Sequence, residues 1–369
     1  MTLKTYAQDG LVITEMAVAS PYGLGETAFA EGVRAGQPAL APLDTSLWPV
    51  PHRTAGLIPG FDVAEVLGPK GTRSMDRLTG IAVATTGRLL DQCADGTPLA
   101  EDPEGTGLVL GTPGSVQSVM AFTHDALTGQ KPFHVNPAHF PSTVLNHPTG
   151  RSAIWHGLKG PNVSVAGGAA SGLLALSYAS RLLRAGHANA LLCGAVDEFS
   201  VQRSRLEHAV AEDAEEPLSE GAALFLLEPA SKARGGGRTP RAELLGGRFR
   251  VTSGPELVAK ALALCVQDLL LDTGLTAEGI ALVAPTSAPG VLGAQEAAAL
   301  NEVLGTVDRV ELRPLLGDAG AASTALQTAV PLALAHLRPY YAGHAALVTT
   351  TDRDGTVACA LLGLPEGRP

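Results

Sequence analysis

Gly160-Pro161-Asn162-Val163-Ser164-Val165-Ala166-Gly167-Gly168-Ala169-Ala170-Ser171-Gly172-Leu173 is the stretch from which the rest of the chain can be ordered. Asn162 to Val165 reads as a short strand, Ala166 to Ala170 as a small-residue turn, and Leu173 to Arg184 as a helix stopped by Gly186. Leu176, Ala179 and Leu183 fall near one face of that helix. Ala188 to Cys193 is the next apolar strand, closed by Gly194. A strand, a tight turn, a helix and a further strand imply a layered α/β protein.

The same alternation runs outward in both directions. Leu11 to Ala19, Leu108 to Leu110 and Ala222 to Leu227 read as strands, and Asp76 to Leu90 as a helix. Ser115 to Leu127 continues from Gly111-Thr112-Pro113-Gly114 as helix or ordered loop, and a Pro- and His-rich loop follows to Asn146. Asp197 to Pro217 reads as a charged loop. Ala230 to Pro240, with Gly235, Gly236 and Gly237 among basic residues, is the main break in composition and divides the chain into residues 1–240 and 241–369. Beyond it, Ser253 is placed to cap a helix from Pro255 to Leu271, with Glu256 three residues on and Gly274 as terminator. Ile280 to Ala284 is a strand and Ala294 to Val303 a helix. Gly320 to His336 is an apolar helix expected to bend or break at Pro331. Asp352-Arg353-Asp354-Gly355 turns Ala345–Thr349 back on Val357–Leu362 as a hairpin.

The 369 residues suffice for a large buried core. With 45% hydrophobic and 17% charged residues, the composition is not that of a disordered chain. A net charge of -10 and only 4% aromatic residues argue against a nucleic-acid surface. No run reaches 18 apolar residues, so no membrane span is expected. Nothing in Met1 to Gly10 resembles a signal peptide. Cys93, Cys193, Cys265 and Cys359 are scattered without metal or redox spacing, which places the chain in a reducing cytoplasm with its cysteines as small core residues. His134, His139 and His147 share a Pro-rich loop without accompanying carboxylates or cysteines, so no metal site or cofactor is expected. Asp197 and Glu198 are chain neighbours at a turn, which does not specify paired-carboxylate catalysis.

The quoted stretch resembles the nucleophile region of beta-ketoacyl synthases. Gly194-Ala195-Val196-Asp197, Glu220-Gly221-Ala222, Gly111-Thr112 and Phe140-Pro141 to Asn146 fit the same family in order along the first 240 residues. The resemblance implies a thiolase-like layered α-β-α-β-α fold made of two similar halves. It also implies a reactive cysteine at the turn before the long helix, where a thiolate would attack an acyl thioester. The matching position here is Ala169, which has no nucleophilic atom; Ser171 lies two residues past it. The family also uses two histidines to polarise a malonyl thioester. Pro285 stands at the first position and Asp318 at the second, with Arg313 near the family's lysine. Proline offers no side-chain donor, and an ionised Asp would repel a developing enolate.

Within the family the resemblance is to chain length factor-like subunits of type II polyketide synthases. It implies an active ketosynthase as heterodimeric partner, contact with acyl carrier protein directly or through the complex, and a share in the tunnel that limits product length. Many such subunits carry Gln where this chain has Ala169. Asn162, Val163, Ser164 and Val165 are then expected near the subunit interface, covered by the loop Phe133 to Pro148. Gln117, Met120, Phe122 and His124 are candidates for the tunnel end, with Gln117 facing the partner's site. Glu220, Glu296 and Arg313 are assigned structural support. Two alternatives remain open from the sequence: a malonyl-carrier-protein decarboxylase and a stand-alone acyl-binding protein.

Overall fold

The computed structural model describes residues 10–93, 99–129, 131, 134–210, 216–335 and 338–366. Phe133 and His336, which enter two of the expectations above, lie outside the described residues.

The first half supplies strands β1 (Leu11–Ser20), β2 (Thr106–Gly111), β3 (Asn162–Val165), β4 (Ala190–Asp197) and β5 (Gly221–Pro229). Its helices are α1 (Glu26–Ala35), α2 (Arg77–Gln92), α3 (Val116–Thr128), α4 (His147–His156), α5 (Ser171–Arg184) and α6 (Val201–Val210). The second half supplies β6 (Ala242–Val251), β7 (Ile280–Ala284), β8 (Asp308–Arg309), β9 (Ala345–Thr351) and β10 (Thr356–Gly363). With them come α7 (Val258–Thr273), α8 (Gly290–Leu304) and α9 (Ser323–Leu334).

The strands form one path, β8-β7-β9-β10-β6-β1-β5-β4-β2-β3. Its two sides repeat one pattern. In the first half β1 and β5 are antiparallel, β5 and β4 antiparallel, and β4, β2 and β3 parallel. In the second, β6, β10, β9, β7 and β8 follow the same sequence of pairings. Both opening strands carry a bulge, between Ile13 and Glu15 and between Leu244 and Gly246. Within the sheet, among the described residues, the halves meet at the β1–β6 seam, where Val12 pairs with Glu243 and Ile13 with Ala242. This is the layered, two-half α/β fold that the resemblance implies.

Burial explains the strand composition. Every residue of β4 is buried, as is nearly every residue of β5, so both are continuous apolar runs rather than alternating ones. The α2 side chains Leu78, Ile81 and Leu89 pack on the outer face of the first half, and α7 places Leu262, Val266 and Leu269 on the outer face of the second. Helices α5 and α9 pack together, with Leu173, Leu176, Leu326 and Val330 in the central core. Among the described residues no helix is long and apolar enough to cross a membrane.

Four local expectations are corrected. The strand expected to close at Gly194 runs on to Asp197, because a Cβ at Gly194 would stand 2.0 Å from the Ala223 carbonyl oxygen and only glycine lets the strands approach so closely. The charged loop contains α6, whose first turn is held by Ser200 Oγ accepting from Arg203 N–H at 3.2 Å. Ser253 caps nothing: a 3-10 turn at Pro255–Leu257 intervenes before α7, and neither start has a side-chain cap. The helix at Pro331 continues to Leu334, since α9 is buried along its whole length and packing outweighs the lost hydrogen bond.

Candidate functional site

The edge strand β3 feeds a turn whose residues Gly168–Ala170 form one 3-10 turn before α5. Gly168 has φ +52°, and a Cβ there would lie 2.0 Å from Asp352 Oδ2, so the turn requires glycine. Ala169 follows, buried, its side chain a bare methyl. Its N–H donates to Asp352 Oδ2 at 2.7 Å. Its carbonyl accepts from the Thr324 hydroxyl at 2.7 Å, and that hydroxyl oxygen also accepts from Gly172 N–H at 3.1 Å. Ser171 is committed locally: Oγ donates to the Gly168 carbonyl at 2.7 Å and accepts from Gly167 N–H at 3.1 Å.

The second half repeats this device. Gly320-Ala321-Ala322-Ser323 matches Gly168-Ala169-Ala170-Ser171 residue for residue. Gly320 also has φ +52°, and Ala321 N–H donates to Asp197 Oδ2 at 2.9 Å. The straps are crossed. Asp197 ends β4 and caps the approach to α9, while Asp352 follows β9 and caps the approach to α5.

Pro285 follows β7 and lines one cleft with Thr286, Arg313, Leu316, Ser323 and Gln327. Glu296, buried on α8, holds that loop: Oε1 accepts from Thr286 N–H at 3.1 Å and from Thr349 Oγ1 at 2.7 Å, and Oε2 from Ser287 N–H at 2.9 Å. Asp318 Oδ2 accepts from Arg313 Nη2 at 3.0 Å, and Oδ1 from Gly320 N–H at 2.8 Å. Burial pushes the Asp318 carboxyl up, but Arg313 and Arg203 outweigh it and hold it below the usual carboxylate range. Arg313 is also paired with Glu216, Nη2 to Oε2 at 2.9 Å. Burial raises Asp352, with Asp354 and Asp318 adding to the rise. Glu220 accepts from Ile58 N–H at 2.9 Å and Phe199 N–H at 3.2 Å and is paired with Arg77.

The structure thus brings Ala169 onto Asp352, pairs Asp318 with Arg313, and sets Pro285 in a cleft that Arg313 also lines. Sequence reasoning took Asp352 for a turn residue and passed over Thr324. The signal that would have found Asp352 is the doubled Gly-Ala-Ala-Ser, each copy answered by an Asp at the end of the following strand.

The remaining candidates lie on another face. Ser115 caps α3, accepting from Ser118 N–H at 3.1 Å while its own hydroxyl donates to buried Glu198 at 2.9 Å. Ser118 Oγ donates to Asp76 Oδ2 at 3.1 Å. From this anchored start α3 carries Gln117, Met120 and His124 exposed in the single chain, with Met120 at 45%. Phe122 is half-buried, edge-on to Phe140 at 5.9 Å. Separately, β3 is an edge of the sheet: Asn162 is exposed and Val163, Ser164 and Val165 half-buried. Asn162 Nδ2 donates to the Thr149 carbonyl at 3.2 Å, and the Ser164 and Thr149 hydroxyls meet at 2.5 Å. Phe140, Val144, Leu145 and Ile154 extend the exposed apolar surface.

Other chemistry finds little support among the described residues. No group of three or more His, Cys, Asp or Glu side chains is arranged to hold a metal. His134 and His139 are exposed, and half-buried His147 is shifted below the usual range by burial. All four cysteines are free and buried, and burial pushes the Cys93 thiol up to about 12.

Comparison with known proteins places this geometry. The 3-oxoacyl-[acyl-carrier-protein] synthase 2 of Vibrio cholerae is 26% identical over 349 residues, covering 84% of this chain and 83% of its own. The structure of the ishigamide ketosynthase/chain length factor superposes with a TM-score of 0.88 at 40% identity, over 96% of this chain and 99% of that one. A structure of a type II PKS acyl-carrier protein in complex with its ketosynthase shares the fold, with a TM-score of 0.80 at 17% identity, over 97% of this chain and 100% of that one. Residues 8–214 match the family described as "Beta-ketoacyl synthase, N-terminal domain". With more than half its length matched, the chain belongs to the beta-ketoacyl synthase family.

Proposed function

We propose that this chain is a non-condensing, chain length factor-like subunit that pairs with an active ketosynthase, stabilises it and shapes the tunnel that limits product length. The observation that carries the reading is Ala169: the helix start where this family attacks a thioester bears a methyl group. Pro285 and Asp318 at the two histidine positions point the same way, since neither can polarise a thioester carbonyl as a neutral imidazole donor would. They also weigh against a malonyl-carrier-protein decarboxylase.

The partner's place is supported by the open edge of β3 and the exposed apolar residues of α3 and its neighbours. An open edge strand, and exposed apolar side chains such as Met120, Phe140 and Leu145, are features that a second subunit covers favourably. Gln117, Met120, Phe122 and His124 would then line the far wall of the partner's acyl tunnel. There each buried methylene of a growing chain gains about 0.8 kcal/mol, and a bulky side chain sets the stop. Acyl carrier protein reaches the complex through the ketosynthase or both subunits.

The test is co-purification with candidate ketosynthases, followed by condensation assays with malonyl carrier protein. The complex is expected to condense, the isolated chain to do nothing, and Met120→Trp to shorten the product. Condensation by the isolated chain, or by the ketosynthase alone with unchanged product and no complex, defeats the reading.

A further inference from the structure

In acyl transfer at a helix start, the thioester carbonyl oxygen gains negative charge, and backbone N–H groups aimed at it supply much of the stabilisation. The N–H at this helix start is not free. Ala169 N–H donates to Asp352 Oδ2 at 2.7 Å, and the same oxygen is pressed against the Gly168 turn. The carboxylate is held in place from its own side. Asp352 Oδ1 accepts from Arg353 N–H at 2.7 Å, Asp352 N–H donates to the Thr356 carbonyl at 2.9 Å, and Gly355 N–H donates to the Asp352 carbonyl at 3.0 Å. The hairpin turn therefore presents a fixed carboxyl oxygen to α5.

We propose that Asp352 is a built-in anion occupying the oxyanion position of this site. The chain is then barred from acyl transfer twice, by the missing thiol at 169 and by a carboxylate seated on the amide that an acyl oxygen needs. The inference rests on the non-condensing reading above and adds a second, separable cause. A thiol restored at 169 would face a like charge, which disfavours the thiolate, and would find its amide taken.

The experiment compares Ala169→Cys with the double variants Ala169→Cys/Asp352→Ala and Ala169→Cys/Asp352→Asn, each alone and in complex with the ketosynthase. Two probes are read by peptide mass mapping. With iodoacetamide, the introduced thiolate displaces iodide to form a thioether. With octanoyl-N-acetylcysteamine, it takes the octanoyl group and releases N-acetylcysteamine as the thiol. The four native cysteines are buried and give a low background.

The Asp352→Ala double is expected to alkylate about tenfold faster than Ala169→Cys at neutral pH, the equivalent of one pKa unit, and to accumulate the octanoyl adduct. Asn keeps an acceptor without the charge, so that double should alkylate equally fast yet acylate poorly. An adduct on Ala169→Cys as abundant as on the Asp352→Ala double overturns the proposal. So does the absence of adduct on that double when it keeps its native melting temperature and pairs with the ketosynthase. Pairing and condensation with the unmodified chain are measured in parallel; their failure sinks the functional reading without touching the adduct comparison.

Discussion

Burial drives the Glu198 carboxyl up to about 8, with Asp76 adding to the rise and the Ser115 hydroxyl opposing it. The folded chain therefore binds this proton more tightly than the unfolded chain does. The stability linked to it is fully present below the ordinary carboxylate value and is lost as pH climbs through about 8. Glu198→Gln stays neutral and can still accept from Leu78 N–H, which lies 2.9 Å from Oε2, while the Ser115 hydroxyl can reverse to accept. The variant and the parent should melt together near pH 4, and the variant should melt progressively higher above that, by several degrees at about pH 8 and beyond, by differential scanning fluorimetry at matched ionic strength. Parallel pH slopes would refute this. At this scale the sequence was informative about losses and poor on replacements. Ala169, Pro285 and Asp318 stand out because a motif fixes what ought to be there. Asp352 does not, because its meaning comes from a hydrogen bond to a residue 183 positions away.

Elements built from local contrasts were the readable ones. Asn162–Val165 is bounded by prolyl and glycyl neighbours and was read to the residue, as was the end of α5 at Arg184. Gly194 misled because glycine ends strands in exposed settings, whereas here it admits a neighbouring backbone. The burial of β4, and with it that distinction, depends on strands still to come in the chain. The β3 edge also carries a test of pairing. Leu108 N–H donates to the Pro161 carbonyl and Thr112 N–H to the Val165 carbonyl, so the alternation turns Ser164 N–H away from β2. Ser164→Pro removes an outward donor and leaves the ladder to β2 whole. It should weaken ketosynthase capture by about tenfold or more, the worth of one hydrogen bond with added steric cost, while circular dichroism stays native. Unchanged affinity in a titration of the two subunits would move the interface elsewhere.

Across the whole molecule the two halves repeat strand order, bulge and helix start, yet their crossed straps are unequal. Asp197 is buried and stands 3.7 Å from the equally buried Arg203, whose Nη1 donates to the Glu198 and Ser219 carbonyls at 2.8 Å. Asp197→Ala takes away the nearest counter-charge and should cost about 3–5 kcal/mol in urea denaturation. Asp352→Ala, which frees the Ala169 amide and the exposed Arg353 amide without stranding a buried charge, should cost about 1–2 kcal/mol. Equal losses would mean that the straps are interchangeable. The likeness of the halves was legible in the sequence only as a similar alternation of elements, because strand pairing order and bulge position leave no hydrophobic pattern of their own. Crossing has a further consequence for how the chain is made. As the ribosome releases residues in order, the amide of Ala169 must wait for an acceptor that emerges 183 residues later, so this crossed contact closes only after β9 has been made. The packing of α5 against α9, and the strap that Asp352 places on Ala169, are therefore late events of biosynthesis.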